Sequence, residues 1–338
     1  MSEAVRWGVL GCAGIATGSV IPAMSEAELT VLSAVASRSI DRAQEVAAQF
    51  GVPNAYGSYE ELLADPTVEA VYIPLPNGFH AEWSIKAMRA GKHVLCEKPI
   101  AVSGTEASEI QAVRDETGCL CLEAFASRFD PPLAKAFEIA RSGVLGDLRF
   151  IHTTATYLMS SIDPANVRLQ ADIGGGALYD MGCYAINAQR MLAGREPLAV
   201  TTTMAWSERF DVDTAGAAML DFGAGLLGTI HWGFNAPHGA PFSVVGIEGR
   251  LVSAEGWAVP AAGPSLLLTV GDETQEVYVE PADNYVGAVQ DLSEAVRGIH
   301  APIYGWEPLD ANMRVIDACY ASYRSGKAEA VVSGPQMA

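Results

Sequence analysis

One set of three side chains, Lys98, Asp180 and Tyr184, could together move a proton, and the last two lie four residues apart. Asp180 and Tyr184 fall on one predicted helix, where this spacing places both on the same face. Lys98 follows a predicted strand and precedes a proline, which holds it extended and would aim it outward from the sheet edge. An ammonium near a phenol favours the phenolate, so such a set could transfer a hydroxyl proton. Each residue alone is typical of a structural helix or a loop, so the elements that position them decide the interpretation.

A short apolar strand and a series of closely spaced small residues open the chain and predict a dinucleotide site. The run Trp7–Leu10 leads through small residues into a predicted helix, and such a turn can hold a pyrophosphate against free N–H groups. Ala13 replaces the middle glycine of the usual G-x-G-x-x-[GA] pattern, so the motif alone also fits an ordinary turn. The predicted cofactor contacts of this turn are Gly11, Cys12, Ala13, Gly14, Ile15 and Ala16.

The end of the second predicted strand indicates which dinucleotide binds. Folds that prefer NAD place an acidic residue about 20 residues beyond the glycines, where it accepts hydrogen bonds from the ribose 2′-hydroxyl. Here the strand ends in Ser37 and Arg38, with no acid before Asp41. A hydroxyl and a guanidinium suit a 2′-phosphate, which arginine grips with two hydrogen bonds. The sequence therefore predicts NADP, with NAD as the alternative if Arg38 is only a solvated loop charge.

Two further turns follow predicted strands of the same sheet. Ligands of open parallel sheets bind at the carboxyl ends of the strands, so these turns are also candidates for cofactor contact. The predicted contacts there, besides Lys98, are Pro74, Leu75, Pro76, Asn77, His80 and Glu97. Taken singly, Asn77 could cap the following helix and His80 could be a satisfied residue of its first turn.

Strands and helices alternate up to about Phe125, and shorter strands follow. The alternation is typical of a doubly wound parallel sheet with right-handed crossovers, as in the Rossmann fold. Later segments rich in β-branched and small residues predict a mostly antiparallel sheet, and two helices, 285–297 and 308–324, close the chain. We predict an α/β dinucleotide-binding Rossmann domain at 1–125 and an α+β substrate-binding and oligomerisation domain with an open-faced sheet at 126–338. The strands predicted for the second sheet are 148–157, 198–206, 214–222, 225–234, 242–247, 250–254, 264–270 and 275–280.

Charge, cysteines and hydropathy argue against several classes of protein. The formal net charge of −19 does not suit nucleic acid or an anionic membrane as a partner, because both need a basic face. The six cysteines form no C-x-x-C pair, so we expect buried reduced thiols, no zinc site and a reducing compartment, most simply the cytoplasm. No segment has the apolar run that a membrane span needs.

Five motifs in one order carry a resemblance to a known family: WGVLGCAGIA, PLPNGFH, CEKP, EAFASRF and GGGALYDMGCY. The chain resembles the glucose–fructose oxidoreductase/inositol dehydrogenase (Gfo/Idh/MocA) family over nearly its whole length, most closely the branch of NADP-dependent D-xylose dehydrogenases and dimeric dihydrodiol dehydrogenases. The resemblance implies hydride transfer between a nicotinamide and a hydroxyl of a xylose-like aldopyranose or related cyclic polyol. It also implies a homodimer or homotetramer formed through the second sheet. Ser127 and Asp130 depart from the family's E-A-F-x-Y-R-F-H-P stretch, which leaves the sugar open.

The resemblance also implies a role for each proton-moving side chain. Lys98 corresponds to the family's catalytic lysine, near the nicotinamide and the reacting oxygen. Tyr184 stands where many members have histidine, as it does in the branch named above. We expect Tyr184 to transfer the proton and Lys98 to activate it and stabilise the oxyanion, although the two roles could be exchanged. Asp180 would orient the substrate hydroxyl or the lysine.

The loop before the glycine run supplies the predicted substrate contacts, Arg168 and Asp172, with Asn166 and Arg128 as weaker candidates. Two alternatives to a sugar dehydrogenase stay open. One is a trans-dihydrodiol dehydrogenase that accepts an apolar ring. The other is a non-catalytic NADP-binding sensor, which has no need of a proton-transfer pair.

Overall fold

The computed structural model describes residues 3–253, 255–258, 260–305 and 308–332. The chain divides after Ala126, Ala282 and Asp310, so that the first and third segments form one unit and the second and fourth form another. This division differs from the predicted domains at 283–310, a segment that the sequence assigned to the second domain. Ala254, the end of one predicted strand, lies outside the described residues.

The first unit is built on a six-stranded parallel sheet. Its strands are β1 (Val5–Leu10), β2 (Thr30–Ala36), β3 (Asn54–Tyr56), β4 (Ala70–Ile73), β5 (His93–Cys96) and β6 (Cys121–Glu123). Its helices in this segment are α1 (Ile21–Glu26), α2 (Ile40–Phe50), α3 (Tyr59–Leu63), α4 (His80–Arg89) and α5 (Gly104–Thr117). The strand order β3-β2-β1-β4-β5-β6 is that of a Rossmann sheet, which confirms the predicted doubly wound fold. The sequence did not predict β3, because its three residues, Asn54–Tyr56, form no apolar run and none of them is fully buried.

The second unit contains a ten-stranded mixed sheet. Its elements up to residue 282 are α6 (Pro131–Arg141), β7 (Leu148–Leu158), α7 (Cys183–Ala193), β8 (Ala199–Ser207), β9 (Val212–Asp221), β10 (Leu227–Gly233), β11 (Asn235–Gly239), β12 (Phe242–Gly246), β13 (Gly249–Ser253), β14 (Leu266–Val270) and β15 (Glu273–Val277). The strands pair in the order β15-β14-β13-β12-β7-β10-β9-β8, with β11 also on β7. All of these pairs are antiparallel except β7 with β10, so the predicted mostly antiparallel sheet is confirmed.

The C-terminal helices belong to different units. Helix α8 (Asn284–Val296) packs into the core of the first unit, where Leu292 is fully buried and Ser293 Oγ accepts a hydrogen bond of 3.0 Å from the Trp7 indole. Helix α9 (Ala311–Ser325) belongs to the second unit, where Ser322 Oγ accepts from the Thr202 N–H at 3.0 Å. The short strand β16 (Glu329–Ala330) extends the second sheet beside β8. The apolar face of a parallel sheet must be covered, and α8 contributes to that cover from a distant part of the chain.

Helix α7 is anchored across the parallel pair β7 and β10. The Gln189 amide donates to the carbonyl oxygens of Ile151 at 3.0 Å and Thr229 at 2.7 Å, which bridges the two strands. Gly228 makes room for this side chain, because a Cβ at that position would collide with the Gln189 amide. The helix that carries Tyr184 is therefore fixed to the middle of the sheet.

The opposite surface of this sheet, which we call the open sheet face, carries Phe150, His152, Met219, Leu227 and Thr229. Phe150 pairs with Leu227 and Thr229 pairs with both His152 and Met219, so these side chains form one continuous patch over β7, β10 and β9. Phe150 is 58% exposed, Met219 48% and Leu227 37%. This patch is a surface of mainly apolar and neutral side chains that the unit itself leaves in water.

The cysteines are free thiols, and all except Cys12 are buried, as expected from the sequence. Burial raises the pKa of Cys121 and of Cys319 to about 12, which is the behaviour of unreactive core thiols. Over the ranges that the structure describes, no helix is long and apolar enough to cross a membrane. The same ranges contain no cluster of three or more histidine, cysteine or acidic side chains that could hold a metal ion.

Candidate active site

The turn after β1 has the backbone that a pyrophosphate site requires. Gly11 has φ +120°, a conformation that side chains rarely tolerate, and a Cβ there would lie 3.0 Å from Leu75 Cδ2. Nothing lies within 4 Å of the corresponding position at Gly14. The Thr17 N–H donates to the Ala13 carbonyl at 3.1 Å, so the earlier N–H groups face outward from the start of a helix. This open turn of helical N–H groups fits a dinucleotide phosphate.

The other predicted residues of the turn keep it in place. Cys12 is half-buried with its thiol against the carbonyl oxygens of Ala36 and Arg42, each 4.0 Å away. Ile15 is half-buried and Ala16 is buried, at the start of a π-helical turn that leads into α1. The Gly11 N–H also donates to the Ala36 carbonyl at 2.9 Å, which ties the turn to the end of β2.

The residues that follow β2 present a hydroxyl and a guanidinium beside this turn. The Ser37 N–H donates to the Tyr56 carbonyl at 3.2 Å, and its Oγ accepts from the Ser39 N–H at 3.3 Å. Ser39 in turn caps α2. Arg38 is exposed, so its guanidinium is accessible to a ligand. A hydroxyl and an exposed guanidinium at this edge fit a nucleotide 2′-phosphate.

His80 ties together the loops that follow β4 and β5. Its Nδ1 lies 2.7 Å from the Pro99 carbonyl oxygen and its Nε2 lies 2.6 Å from that of Leu75. The side chain is fully buried, and burial lowers its pKa, with the nearby Lys98 charge acting in the same direction. His80 therefore supports the predicted nucleotide edge by holding the two loops together from the interior, and its side chain does not reach the surface of that edge. Pro74 is buried in the first of these loops, whereas Leu75, Pro76 and Asn77 are half-buried.

Carboxylates fix the backbone on both sides of Lys98, which is itself half-buried. Glu97 accepts a hydrogen bond of 2.7 Å from the Tyr72 hydroxyl and one of 3.3 Å from the Lys98 N–H. The buried Glu123 accepts from the Ile100 N–H at 2.8 Å. The peptide bond that follows Lys98 is cis. The lysine is therefore held at the carboxyl end of β5 by neighbours on two strands.

In the second unit, Arg168 interacts with both site residues predicted on the helix, Asp180 and Tyr184. Its Nε donates to Asp180 Oδ2 at 2.6 Å, and Asp180 is buried. The negative charge of Asp180 is the largest cause that raises the pKa of Arg168, with smaller effects from Tyr157 and Tyr184. The Tyr184 ring also lies 5.7 Å from the ring of the buried Trp257. A guanidinium, a carboxylate and a phenol thus form one cluster, in which charged groups can bind hydroxyls and a phenol can exchange a proton.

The glycine run folds the loop that carries Arg168 against this helix. The Gly176 N–H donates to the Arg168 carbonyl at 2.9 Å. A Cβ at Gly175 would lie 2.7 Å from the Gln170 carbonyl oxygen, so only glycine permits this approach. Asp180 lies in the π-helical turn Leu178–Gly182 directly after the run. The glycines therefore set the distance between Arg168 and Asp180.

Asp213 is a supporting residue that the sequence analysis missed. It is fully buried on β9 and accepts hydrogen bonds from the Leu178 N–H at 2.8 Å, the Trp232 indole at 2.8 Å and the Tyr320 hydroxyl at 2.9 Å. Burial raises its pKa, and these donors act in the opposite direction. The bond to Leu178 fixes the turn that carries Asp180. The predicted strand began one residue after Asp213, so no sequence signal pointed to this carboxylate.

The other predicted substrate contacts, Asp172, Asn166 and Arg128, lie at different places in the second unit. Asp172 is exposed in the short 3-10 turn Ala171–Ile173, and no contact among the described residues joins it to the Arg168 cluster. Asn166 caps the preceding turn by accepting from the Arg168 N–H at 3.1 Å, so it supports the arginine. Arg128 is buried and donates to Asn187 Oδ1 on α7 at 3.1 Å.

Comparison with known proteins identifies the family to which the chain is similar. A family model described as an oxidoreductase family with an NAD-binding Rossmann fold matches residues 5–125, and a GFO/IDH/MocA C-terminal domain model matches residues 133–252. D-xylose 1-dehydrogenase (NADP(+)) 2 of Haloferax volcanii is 36% identical over 326 residues, covering 96% of this chain and 99% of that protein. Trans-1,2-dihydrobenzene-1,2-diol dehydrogenase of Mus musculus is 34% identical over 228 residues, 67% of each chain.

A solved structure shares both the fold and the sequence pattern. It is a 3-ketoreductase from Actinomadura kijaniata in complex with NADP and TDP-benzene, with a TM-score of 0.85 and 31% identity, covering 95% of this chain and 98% of that one. The two family models cover the first sheet and the second sheet from β7 through β12, and the relatives match at full-length or two-thirds coverage. The chain therefore belongs to the GFO/IDH/MocA family of oxidoreductases, with an NAD(P)-binding Rossmann fold in its first unit.

Proposed function

We propose that the protein is an NADP-dependent dehydrogenase that transfers hydride between the nicotinamide and a hydroxyl-bearing carbon of a sugar. A xylose-like aldopyranose is the leading substrate, and related cyclic polyols come next. The observation that carries this proposal is the cluster of Arg168, Asp180 and Tyr184, with Arg168 Nε 2.6 Å from Asp180 Oδ2. Charged and phenolic groups in one cluster suit a substrate with several hydroxyls and an oxidation that releases a proton. The Haloferax relative, named as an NADP-dependent xylose dehydrogenase, supports the same substrate class.

In the proposed mechanism, bound NADP supplies the hydride acceptor for the carbinol carbon. Tyr184 takes the proton of the substrate hydroxyl, so the carbon loses a hydride and the oxygen a proton. The Lys98 ammonium stabilises negative charge on the substrate oxygen and favours the phenolate form of Tyr184. Arg168, already paired with Asp180, adds a second positive charge near the phenol. Lys98 and Tyr184 could exchange roles, because coupled groups share their protons.

A substrate panel tests this proposal. The purified protein is mixed with NADP+ and, separately, NAD+, and nicotinamide reduction is followed across aldopyranoses, inositols and cyclic diols. We expect a sugar to be the best substrate. The proposal would be contradicted, and a sensor favoured, if none of the sugars or polyols reduces NADP+ or NAD+ and none of the corresponding carbonyl compounds oxidises NADPH.

A trans-dihydrodiol dehydrogenase is the second candidate. The rings of Trp257 and Tyr157 accompany Tyr184 and Arg168 in the cluster, and they could contact an apolar ring. The Mus musculus relative carries that activity in its name. Since a site built to pair several hydroxyls rejects substrates that lack them, the ratio of kcat/KM for sugars and aromatic diols separates the two candidates.

Cofactor preference is expected to depend on Arg38. Removing a charged hydrogen-bonding partner of the 2′-phosphate costs about 1.5–3 kcal/mol, so Arg38→Gln should raise KM for NADP+ about 10- to 150-fold. KM for NAD+ should change little, because NAD+ has no 2′-phosphate. Steady-state kinetics with both nucleotides measure this, and the exposed Arg89 on α4, changed to glutamine, is the control. Equal changes for both nucleotides in Arg38→Gln would contradict the prediction.

We also propose that the protein is a homodimer or homotetramer that associates through the open sheet face. The patch defined by Phe150, His152, Met219, Leu227 and Thr229 consists of apolar and neutral side chains, although the chain carries a net charge of −19, and the exposed Asp221 lies at its edge opposite Leu227. Two copies can therefore meet on apolar side chains with the carboxylate at the rim, and exposed apolar surface of this kind favours association.

Phe150→Glu is expected to give a monomer. The change places a carboxylate in the middle of the open sheet face, where an isologous contact would bring two of them together. Light scattering should give the wild type a multiple of the 35.6 kDa chain mass and the variant the single-chain mass. Ile299→Glu, at an exposed position of the first unit, should leave the mass unchanged. A monomeric wild type would contradict the proposed assembly.

A further inference from the structure

Tyr59 places a hydroxyl at the glycine turn, a position that the sequence analysis did not assign. It is the first residue of α3, which Ser58 caps by accepting from the Glu61 N–H at 3.2 Å. Its ring is 9% exposed and meets the Trp83 ring edge-on, with centroids 4.8 Å apart. The hydroxyl oxygen lies 3.8 Å from the position that a Cβ would take at Gly11. Packing therefore aims a fixed phenol at the turn that fits a dinucleotide phosphate.

The Arg38 guanidinium lies beside this hydroxyl. The Gly11 N–H donates to the Ala36 carbonyl at 2.9 Å, so the turn that the Tyr59 hydroxyl faces lies two residues from Arg38. Burial raises the pKa of Tyr59, and the nearby Arg38 charge acts in the opposite direction. A protonated phenol can accept from the guanidinium with its oxygen and still has one O–H to donate to an anion. Arg38 follows β2 as an exposed side chain, and an exposed arginine has many rotamers that binding must reduce to one.

We propose that Tyr59 is a specificity-determining residue of the nucleotide site, whose hydroxyl holds the Arg38 guanidinium at the glycine turn in position for a 2′-phosphate. This inference rests on the proposed NADP preference. A guanidinium held in advance loses less conformational freedom when the phosphate binds, so discrimination for the 2′-phosphate increases. The ribose and adenine common to both nucleotides gain nothing from this contact, and so Tyr59 should affect only phosphorylated ligands.

Tyr56 provides a matched control three residues earlier. Its hydroxyl donates to Asp65 Oδ2 at 2.8 Å, so the loss of this hydroxyl removes a hydrogen bond from the same loop without changing the neighbour of Arg38. Phenylalanine at position 59 keeps the ring against Trp83. Both variants preserve the packing of the loop and α3, and thermal melting confirms that each is folded.

The test measures binding affinity by isothermal titration calorimetry with adenosine 2′,5′-bisphosphate and with 5′-AMP, two probes that need no turnover. The wild type should bind the bisphosphate more tightly than 5′-AMP. Tyr59→Phe should weaken the affinity for the bisphosphate about 5- to 20-fold and leave the affinity for 5′-AMP within about twofold. Tyr56→Phe should change neither affinity. In an Arg38→Gln background the same Tyr59→Phe change should have little further effect, since the contact it removes is already lost.

Three outcomes would overturn the inference. Equal weakening of both probes in Tyr59→Phe would show a merely structural role. An unchanged bisphosphate affinity, with the wild type still discriminating, would remove Tyr59 from the site and leave the proposed NADP preference intact. A wild type that binds both probes equally would overturn the NADP preference and the role of Tyr59 together.

Discussion

Tyr184→Phe is expected to lower kcat by about 10²- to 10⁴-fold, the range for the loss of a general acid/base group. The change removes only the hydroxyl, and the ring can keep its contact with Trp257, whose centroid is 5.7 Å away. Nucleotide affinity should stay within about twofold, because the predicted nucleotide contacts lie in the first unit. Steady-state turnover and titration of NADPH fluorescence measure the two quantities separately.

Tyr323→Phe is the matched control for this change. Tyr323 stacks on Trp206 in the same unit, with ring centroids 5.6 Å apart, and has no assigned part in the reaction. Its loss of a hydroxyl should leave kcat unchanged. Full turnover in Tyr184→Phe would remove Tyr184 from the mechanism and leave Lys98 as the only proposed acid/base group.

Lys98→Met is expected to lower kcat by about 10²- to 10³-fold, because a positive charge aimed at developing oxyanion charge is lost. Methionine keeps much of the aliphatic length, and the hydrogen bonds of Glu97 and Glu123 hold the backbone on both sides. The remaining activity should shift to higher pH, since without the ammonium the Tyr184 phenolate forms less readily. The pH dependence of kcat for the variant and the wild type measures this shift.

An exposed lysine serves as the control for the loss of charge. Lys135 pairs with Glu138 at 2.8 Å on α6, and Lys135→Met should alter neither kcat nor its pH dependence. A Lys98→Met enzyme with the kcat and the pH profile of the wild type would exclude Lys98 from both proposed roles.

The sequence predicted the two sheets because each has a pattern within a short stretch of chain. Alternating apolar strands and amphipathic helices such as α2 indicate a parallel sheet, and β-branched runs with short turns indicate an antiparallel one. The unit to which 283–310 belongs could not be read from such a local pattern. The periodicity of α8 shows that one face is buried, but it does not show that Leu292 and Ser293 pack beside Trp7, nearly the whole chain away.

The candidate site was predictable where a motif fixes local geometry, and less so where it depends on long-range contacts. The spacing of Asp180 and Tyr184 predicted a shared helical face, and both interact with Arg168. The pairing of Arg168 with Asp180 depends on how the glycine run folds a loop of a dozen residues, which spacing alone does not determine. Asp213 supports that turn from a distant strand and had no signal of its own.

The most direct test of the central claim follows the hydride itself. Aldopyranoses deuterated at every hydroxyl-bearing carbon, the anomeric carbon included, are incubated with NADP+ and the wild-type protein, D-xylose first, and the nucleotide product is analysed by mass spectrometry. We expect NADPH that carries one deuterium, a slower rate than with the unlabelled sugar, and label transfer at least about 10²-fold slower with Tyr184→Phe or Lys98→Met. Formation of unlabelled NADPH, or label transfer that is unchanged in both variants, would contradict the account.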